Sequence, residues 1–379
     1  MVKILVAGDY APRGRVEQLI EQGKYSEVFS GVVPYTSCVD YAILNLEAPI
    51  VDKKGVQGID KCGPHLSCTS KAIEAMKYAG FNMATLANNH FYDYGNSGVV
   101  DTLALCRENN IEVVGGGVNL EEASCTFYKD IKGVRFAFIN CCEHEFSIAT
   151  DKTGGSNPLN PIKQFYAIEE AKKNADRVIV IVHGGHEHYQ LPSPRMKETY
   201  RFFVDAGADV VINHHQHCYS GYELYNGKPV FYGLGNFCFD RRKIRNSIWN
   251  YGYMVQLSFA DDDIHYEIIP YCQGNEKPGV EILTNKEDFL IALSELNGII
   301  TDNAQLKERH QLFMNDTTNN YSIDFQPYQN RFLRALYCRH LFPSFLGKRR
   351  ILRLLNILEC EAHLERTINS LHHLLRTKM

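Results

Sequence analysis

An α/β fold is what this 379-residue chain predicts, and three observations carry that reading. Short apolar runs of β type alternate with helical stretches over residues 1 to 240, the pattern of strands and crossover helices sharing one domain. Polar residues able to bind metals or protons fall just after those runs. A stretch of alternating apolar and polar positions over residues 251 to 272 supplies a closing β-hairpin.

In order along the chain, the first strand is expected over Lys3 to Ala7, ending at Gly8-Asp9. Tyr41 to Leu44 leads into Asn45-Leu46-Glu47, and Met83 to Ala87 leads into Asn88-Asn89-His90. Glu112 to Val114 and Val134 to Asn140 follow; Arg177 to Val182 ends at His183, and Asp209 to Ile212 ends near His214-His215-Gln216-His217. Pro229 to Tyr232 is the last of the series. Each run is apolar and bounded by glycine or polar residues, as strands buried in an α/β sheet require. Helices are expected over Lys71 to Ala79, Gly98 to Asn109, Ile162 to Asn174 and Pro194 to Ala206.

Helical and loop-like sequence takes over after about residue 285, dividing the chain into an α/β domain over 1–285 and a mostly helical extension over 286–379. Asp316 to Tyr328, rich in Asn, Thr and Asp and containing a proline, reads as a linker. Pro343 and Gly347 divide the tail into two helices, with leucine and isoleucine at helical spacing from Ile351 to Leu375.

Composition excludes several classes. A hydrophobic content of 45% suffices for a packed core, and a net charge of −4 gives no basis for nucleic acid as a partner. The charge is unevenly spread: ten Lys and Arg against three Glu from Asn330 onward leave the tail near +7 and the remainder near −11. That tail is either a solvated basic face or a contact for a membrane surface or partner protein. The five-residue apolar run before Gly8 is too short for a signal-peptide core, and no stretch approaches the roughly 18 apolar residues of a membrane span. A cytoplasmic location is therefore expected. The twelve cysteines are scattered and lack metal-finger spacing, so they are expected as reduced thiols, with Cys141-Cys142 in a buried structural role.

Hydrolysis of a phosphate ester needs metal ions that neutralise developing charge and make water nucleophilic near neutral pH, and their ligands are carboxylates, imidazoles and amide oxygens. Asp9, Glu47, Asn89, His90, His183, His215 and His217 supply such groups at strand ends, where the crevice of an α/β fold opens. Singly, each has a plainer reading. Asp9 could cap a turn, Glu47 before Pro49 could sit in a solvated loop, and His183 could be a satisfied core histidine. His215 and His217 are better placed, since alternate residues of an extended segment project to one side.

The order Asp, acidic, Asn-His, His, His-x-His resembles the calcineurin-like metallophosphoesterase superfamily. The fuller wording, with Gly63-Pro64, Asp93-Tyr94-Gly95, His183-Gly184-Gly185 and Gly233 through Asp240, resembles the bacterial CapA or PgsA family of capsule and poly-γ-glutamate synthesis over roughly residues 1 to 240. This resemblance implies a four-layer α/β/β/α sandwich with one or two divalent ions (Mn, Fe or Zn) in the crevice. It implies that Glu47 bridges the ions, that Asn89, His183 and His215 complete one site, and that Asp9 and His217 complete the other. His90 would be the general acid and Asp93 its partner. Two departures bear on the metals. Ala11 stands where the superfamily's first motif has histidine, and Glu47 stands where it has aspartate; a mononuclear site therefore stays open.

Arg13 or Arg15, Lys61, His186, His188 and Asn236 are candidates for holding an anionic small-molecule or polymer substrate, against readings as exposed charge, surface histidine and turn residue. The implied activity is that of a metal-dependent phosphatase or phosphodiesterase in capsule or polymer metabolism. The alternative is a non-hydrolytic accessory protein of capsular polymer synthesis.

Overall fold

The computed structural model describes residues 1–53, 55–260, 263–328, 330–359 and 361–378. Strand Val2–Tyr10 shows how its layers arise. Ile4 and Val6 face one way and Leu5 and Ala7 the other, and all four are buried, so this strand is covered on both faces. It lies within a sheet ordered Val280–Ile282, Asp263–Gln273, Tyr251–Ala260, Val2–Tyr10, Tyr41–Leu46, Met83–Thr85, Glu112–Val114, and the short strand Asn236–Cys238 joins its C-terminal end. A second sheet runs Tyr222–Tyr225, Lys228–Phe231, Val210–His214, Arg177–His183, Val134–Cys142, Phe127–Ile131.

Ile4, Val6 and Ile43 meet Phe136, Phe138, Ile179 and Ile212 in one cluster between the sheets. On the outer face of the first sheet, Leu5 and Leu44 pack with Ile20, Ile73, Met76 and Val99 from the helices Arg15–Glu21, Lys71–Tyr78 and Gly95–Glu108. On the outer face of the second, Ile139, Val178 and Val180 pack with Ile168 of Pro161–Asn174 and Tyr200 and Phe203 of Pro194–Ala206. The result is the four-layer α/β/β/α sandwich implied by the resemblance. Asn160 and Ser193 cap the last two helices, each accepting backbone N–H bonds just before a proline in the first turn.

The central strands of both sheets are parallel, so their carboxyl ends open on one side. Asp9 lies opposite Asn45 and Asn236, and His214 opposite His183. The hairpin expected at 251–272 forms from Tyr251–Ala260 and Asp263–Gln273. The strand expected over Asp209 to Ile212 runs instead over Val210–His214, because Asn213 and His214 continue the ladder with Val182 and His183.

The chain forms two compact units, Met1–Lys307 and Glu308–Met379. Helix Glu287–Thr301, assigned to the extension on sequence, buries Phe289 and Leu293 in the cluster between the sheets. In place of a linker at Asp316 to Tyr328, helix Asn303–Ser322 continues into the 3-10 turn Ile323–Phe325. The threonines tolerate the helix by bonding back one turn, Thr317 to Phe313 O and Thr318 to Met314 O, both at 2.9 Å. Ile323 and Tyr328 then pack on Tyr337.

Among the described residues three helices follow, Arg331–Cys338, Lys348–Glu359 and Glu361–Lys378, where two were expected. Ile351, Leu352, Leu355 and Leu358 are exposed on the second of these. The side chains at 359, 361, 365, 376 and 378, which enter the tail's charge count, lie outside the described residues. Among the described residues no helix is long and apolar enough to cross a membrane. The described cysteines are unbonded, and Cys141 and Cys142 are buried.

Candidate metal centre

Glu47 sits at the centre of the crevice, just beyond strand Tyr41–Leu46, completely buried. Neither of its carboxylate oxygens has a hydrogen-bond partner among the described residues. A buried carboxylate with no donor is costly, and the surrounding groups identify what it lacks. Its ligand atoms lie within 4.8 Å of those of His183 and His215 in one set and of Asp9 and His217 in another. Ligands about 2.0–2.2 Å from a common ion stand at such separations from one another. Glu47 belongs to both sets, the position of a bridging carboxylate. Aimed at it are His183 Nε2 at 3.7 Å and His217 Nε2 at 3.6 Å from Oε1. The donor set fits divalent ions of the kind that accept mixed nitrogen and oxygen ligands.

The remaining expected ligands converge here too. Asn89 Oδ1 lies 3.1 Å from His183 Nε2, and His215 Nδ1 lies 3.0 Å from the same nitrogen. His215 and His217 adopt positive φ of 96° and 55°, a strained conformation for non-glycine residues that persists where surrounding contacts enforce it. The His215 N–H donates to Asp9 Oδ2 at 3.2 Å. His217 Nδ1 lies 2.9 Å from Asn236 Oδ1, whose amide nitrogen returns a bond to His217 O. Asn236, expected as a substrate contact, is thus fully buried behind His217, where it leaves Nε2 as the lone-pair nitrogen facing Glu47.

His90 and Asp93 lie beside this cluster. His90 Nδ1 is 2.7 Å from Asp93 Oδ2, which also accepts the Leu66 N–H at 2.7 Å. Lys61 places its ammonium on the other Asp93 oxygen and 3.3 Å from His90 Nδ1, and its side chain is almost wholly buried. The sequence suggested Lys61 for an anionic substrate; in the structure its charge neutralises Asp93. With Nδ1 occupied, Nε2 is the His90 nitrogen left for a ligand in the cleft.

Burial dominates the electrostatics. It pushes the Asp9 carboxyl up to about 7, against hydrogen bonds from Asn45 and His215 that pull it down. It pushes Glu47 well above the carboxylate range, and the nearby Asp9 charge adds to that. The same burial, with neighbouring imidazoles, holds His183 and His217 well below the usual histidine value; burial also lowers His215 and takes His214 to about 3. At neutral pH these four imidazoles are therefore unprotonated, while Glu47 and a part of the Asp9 population retain protons that a cation must displace. Metal affinity should accordingly strengthen from pH 6 to pH 8, by about tenfold per unit for each proton released. Calorimetric titration in buffers of different ionisation enthalpy checks this; an affinity that falls over that range contradicts it.

A cleft of about 610 Å³ opens over the cluster, lined in part by Arg13, Lys61, Asn89, His90, His188 and His217. Arg15 points away and pairs with Asp240 at 2.8 Å. His186 is half-buried with its ring 6.4 Å from Tyr189, while His188 reaches the cleft and packs 5.5 Å from Trp249. Sequence reasoning assigned no role to Asn45, which donates to Asp9 Oδ1 at 2.8 Å and lies 3.3 Å from His183 Nδ1. Its place two residues before Glu47 at a strand end was the available signal. It also passed over Glu145, which accepts from Asn89 Nδ2 at 3.0 Å, and Arg241 in the cleft wall.

A family model described as bacterial capsule synthesis protein PGA_cap matches residues 3–241, the span that holds every group in this centre. The capsule biosynthesis protein CapA of Bacillus anthracis is 36% identical over 244 residues, covering 62% of this chain and 59% of that protein. The PGA biosynthesis protein CapA of Bacillus subtilis is 35% identical over 238 residues, covering 62% of each. The chain thus spans about three fifths of the length of these relatives. Among solved structures, a novel phosphatase from Mycoplasma pneumoniae aligns with 73% of this chain and 95% of its own, at 14% identity and a TM-score of 0.46.

Proposed function

Because this chain belongs to the family of bacterial capsule synthesis proteins, we propose that it is a metal-dependent phosphatase or phosphodiesterase acting in the metabolism of a capsular polymer. The observation that carries the proposal is Glu47, whose two unpartnered, buried oxygens lie between two sets of ligand atoms. Asp9, Glu47 and His217 would hold one ion, and Glu47, Asn89, His183 and His215 the other. Bound divalent ions supply charge neutralisation at a phosphoryl oxygen and lower the pKa of water toward neutrality.

The chain's own residues do the rest. His90 lines the cleft and donates from Nε2 the proton that the leaving oxygen needs, and the Asp93 carboxylate on Nδ1 orients the ring. Lys61 and the Leu66 N–H fix Asp93 in place. Asn45 and the His215 N–H hold the Asp9 carboxylate, and Asn236 holds His217, so the ligand cage is formed before any ion enters.

The second reading is a non-hydrolytic accessory role in making the polymer, favoured by the biosynthetic names of the two relatives. The two are separated by assaying metal-replete protein against phenyl phosphate and a phosphodiester, with and without chelator. Chelator-sensitive turnover is expected. Metal binding with no cleavage of either ester would favour the accessory role.

A further inference from the structure

Asp240 ties two loops of the cleft together. Its carboxylate accepts the Arg15 backbone N–H at 3.1 Å and the Arg15 side chain at 2.8 Å, and it also pairs with Arg245 at 3.0 Å. Arg15 reaches on to the carbonyls of Asn275 and Glu276. The loop carrying Arg13 is thereby fixed against the one carrying Arg241, and Gly14, at φ +65°, lets the chain pass close to the Asp240 carbonyl. Asp240 consumes Arg15 and Arg245. Two further arginines of these loops, Arg13 and Arg241, line the cleft above the metal centre, and neither forms an ion pair with a described carboxylate.

Their placement is specific. Arg13 is held by a bond from Nη1 to His65 O at 3.2 Å, which leaves other guanidinium donors unused. Arg241 lies over the Trp249 ring at 5.1 Å, and that tryptophan packs 4.8 Å from His217. A guanidinium stacked on an aromatic face keeps its in-plane donors for a ligand.

We propose that Arg13 and Arg241 form a second anion subsite, so that the cleft selects phosphate esters carrying a further anionic group on the leaving portion. This rests on the hydrolase reading above and adds the substrate class to it. Glu145 and Glu187 on the same cleft would repel a misplaced anion, so the second charge is read by position as well as sign.

The test uses phosphate monoesters of ω-hydroxycarboxylic acids of increasing chain length, each compared with its methyl ester at equal metal loading. For the acid of fitting length the wild type should show a KM at least about tenfold below that of the methyl ester, in line with charge-assisted bidentate bonds. Arg13→Gln or Arg241→Gln should cut that preference severalfold, and the double variant should abolish it. Equal KM values for acid and methyl ester at every length would overturn the subsite while leaving the hydrolase reading intact. If no ester is cleaved, the hydrolase reading fails and binding decides the subsite, read by Trp249 fluorescence. Tighter binding of the acid than of its methyl ester in wild type, lost in Arg13→Gln, sustains the subsite; equal binding removes it.

Discussion

Replacing Glu47 with glutamine should abolish binding of both ions, because its carboxylate alone is shared by the two ligand sets. His215→Ala, which removes a ligand from one set, should weaken one ion and spare the other. Loss of metal could also follow from misfolding, and stability separates the two causes. Without metal, Glu47 is a buried carboxyl with no partner, so the neutral amide should melt at or above the wild-type temperature. Added metal should stabilise the wild type by about 2.7 kcal/mol at a hundred times its Kd and leave Glu47→Gln unmoved. Elemental analysis beside thermal melts checks both halves. A Glu47→Gln protein that retains two ions, or that gains stability on adding metal, contradicts the bridging role.

The second large effect falls on His90. His90→Ala should lower kcat by about 10²- to 10⁴-fold, the usual contribution of a positioned acid, while metal content stays at the wild-type level. The loss should depend on the leaving group. An alkyl phosphate, whose leaving oxygen needs a proton, should show the full decrease; p-nitrophenyl phosphate, whose leaving group departs as an anion, should show little. Asp93→Asn is a less clean test, since it would strand the buried Lys61 ammonium and destabilise the fold by about 3–5 kcal/mol. Equal losses on both esters would move His90 from proton donor to substrate positioning.

The α/β pattern and the ligand-type residues at strand ends were legible locally, whereas the four-layer sandwich and the ligand set were implied by the family resemblance. A strand covered on two faces must be apolar throughout, so Lys3 to Ala7 and Arg177 to Val182 stand out, and parallel connection brings their carboxyl ends to one edge. Asp9, Glu47, Asn89, His183, His215 and His217 could therefore be expected along one edge, and the resemblance implied that they share a metal site. What local pattern does not carry is which atom meets which. Asn236 looked like a turn residue open to substrate, but its amide is used on both His217 Nδ1 and His217 O. Lys61 looked like a free cation, and only the fold brings it to Asp93, 32 positions along the chain.

The Asp240 clamp joins positions 225 residues apart, beyond the reach of any spacing argument. The stretch at Asp316 to Tyr328 was misread for a different reason. Its composition favours loops, but hydroxyls bonded back to Phe313 and Met314 let the helix continue.

The most direct measurement is a calorimetric titration of chelator-stripped protein with Mn²⁺, Zn²⁺ and, without oxygen, Fe²⁺, counting ions bound per chain. Two ions per chain, with both lost in Glu47→Gln, is the predicted result. No saturable binding of any of the three would contradict the metal centre and, with it, the hydrolase built upon it.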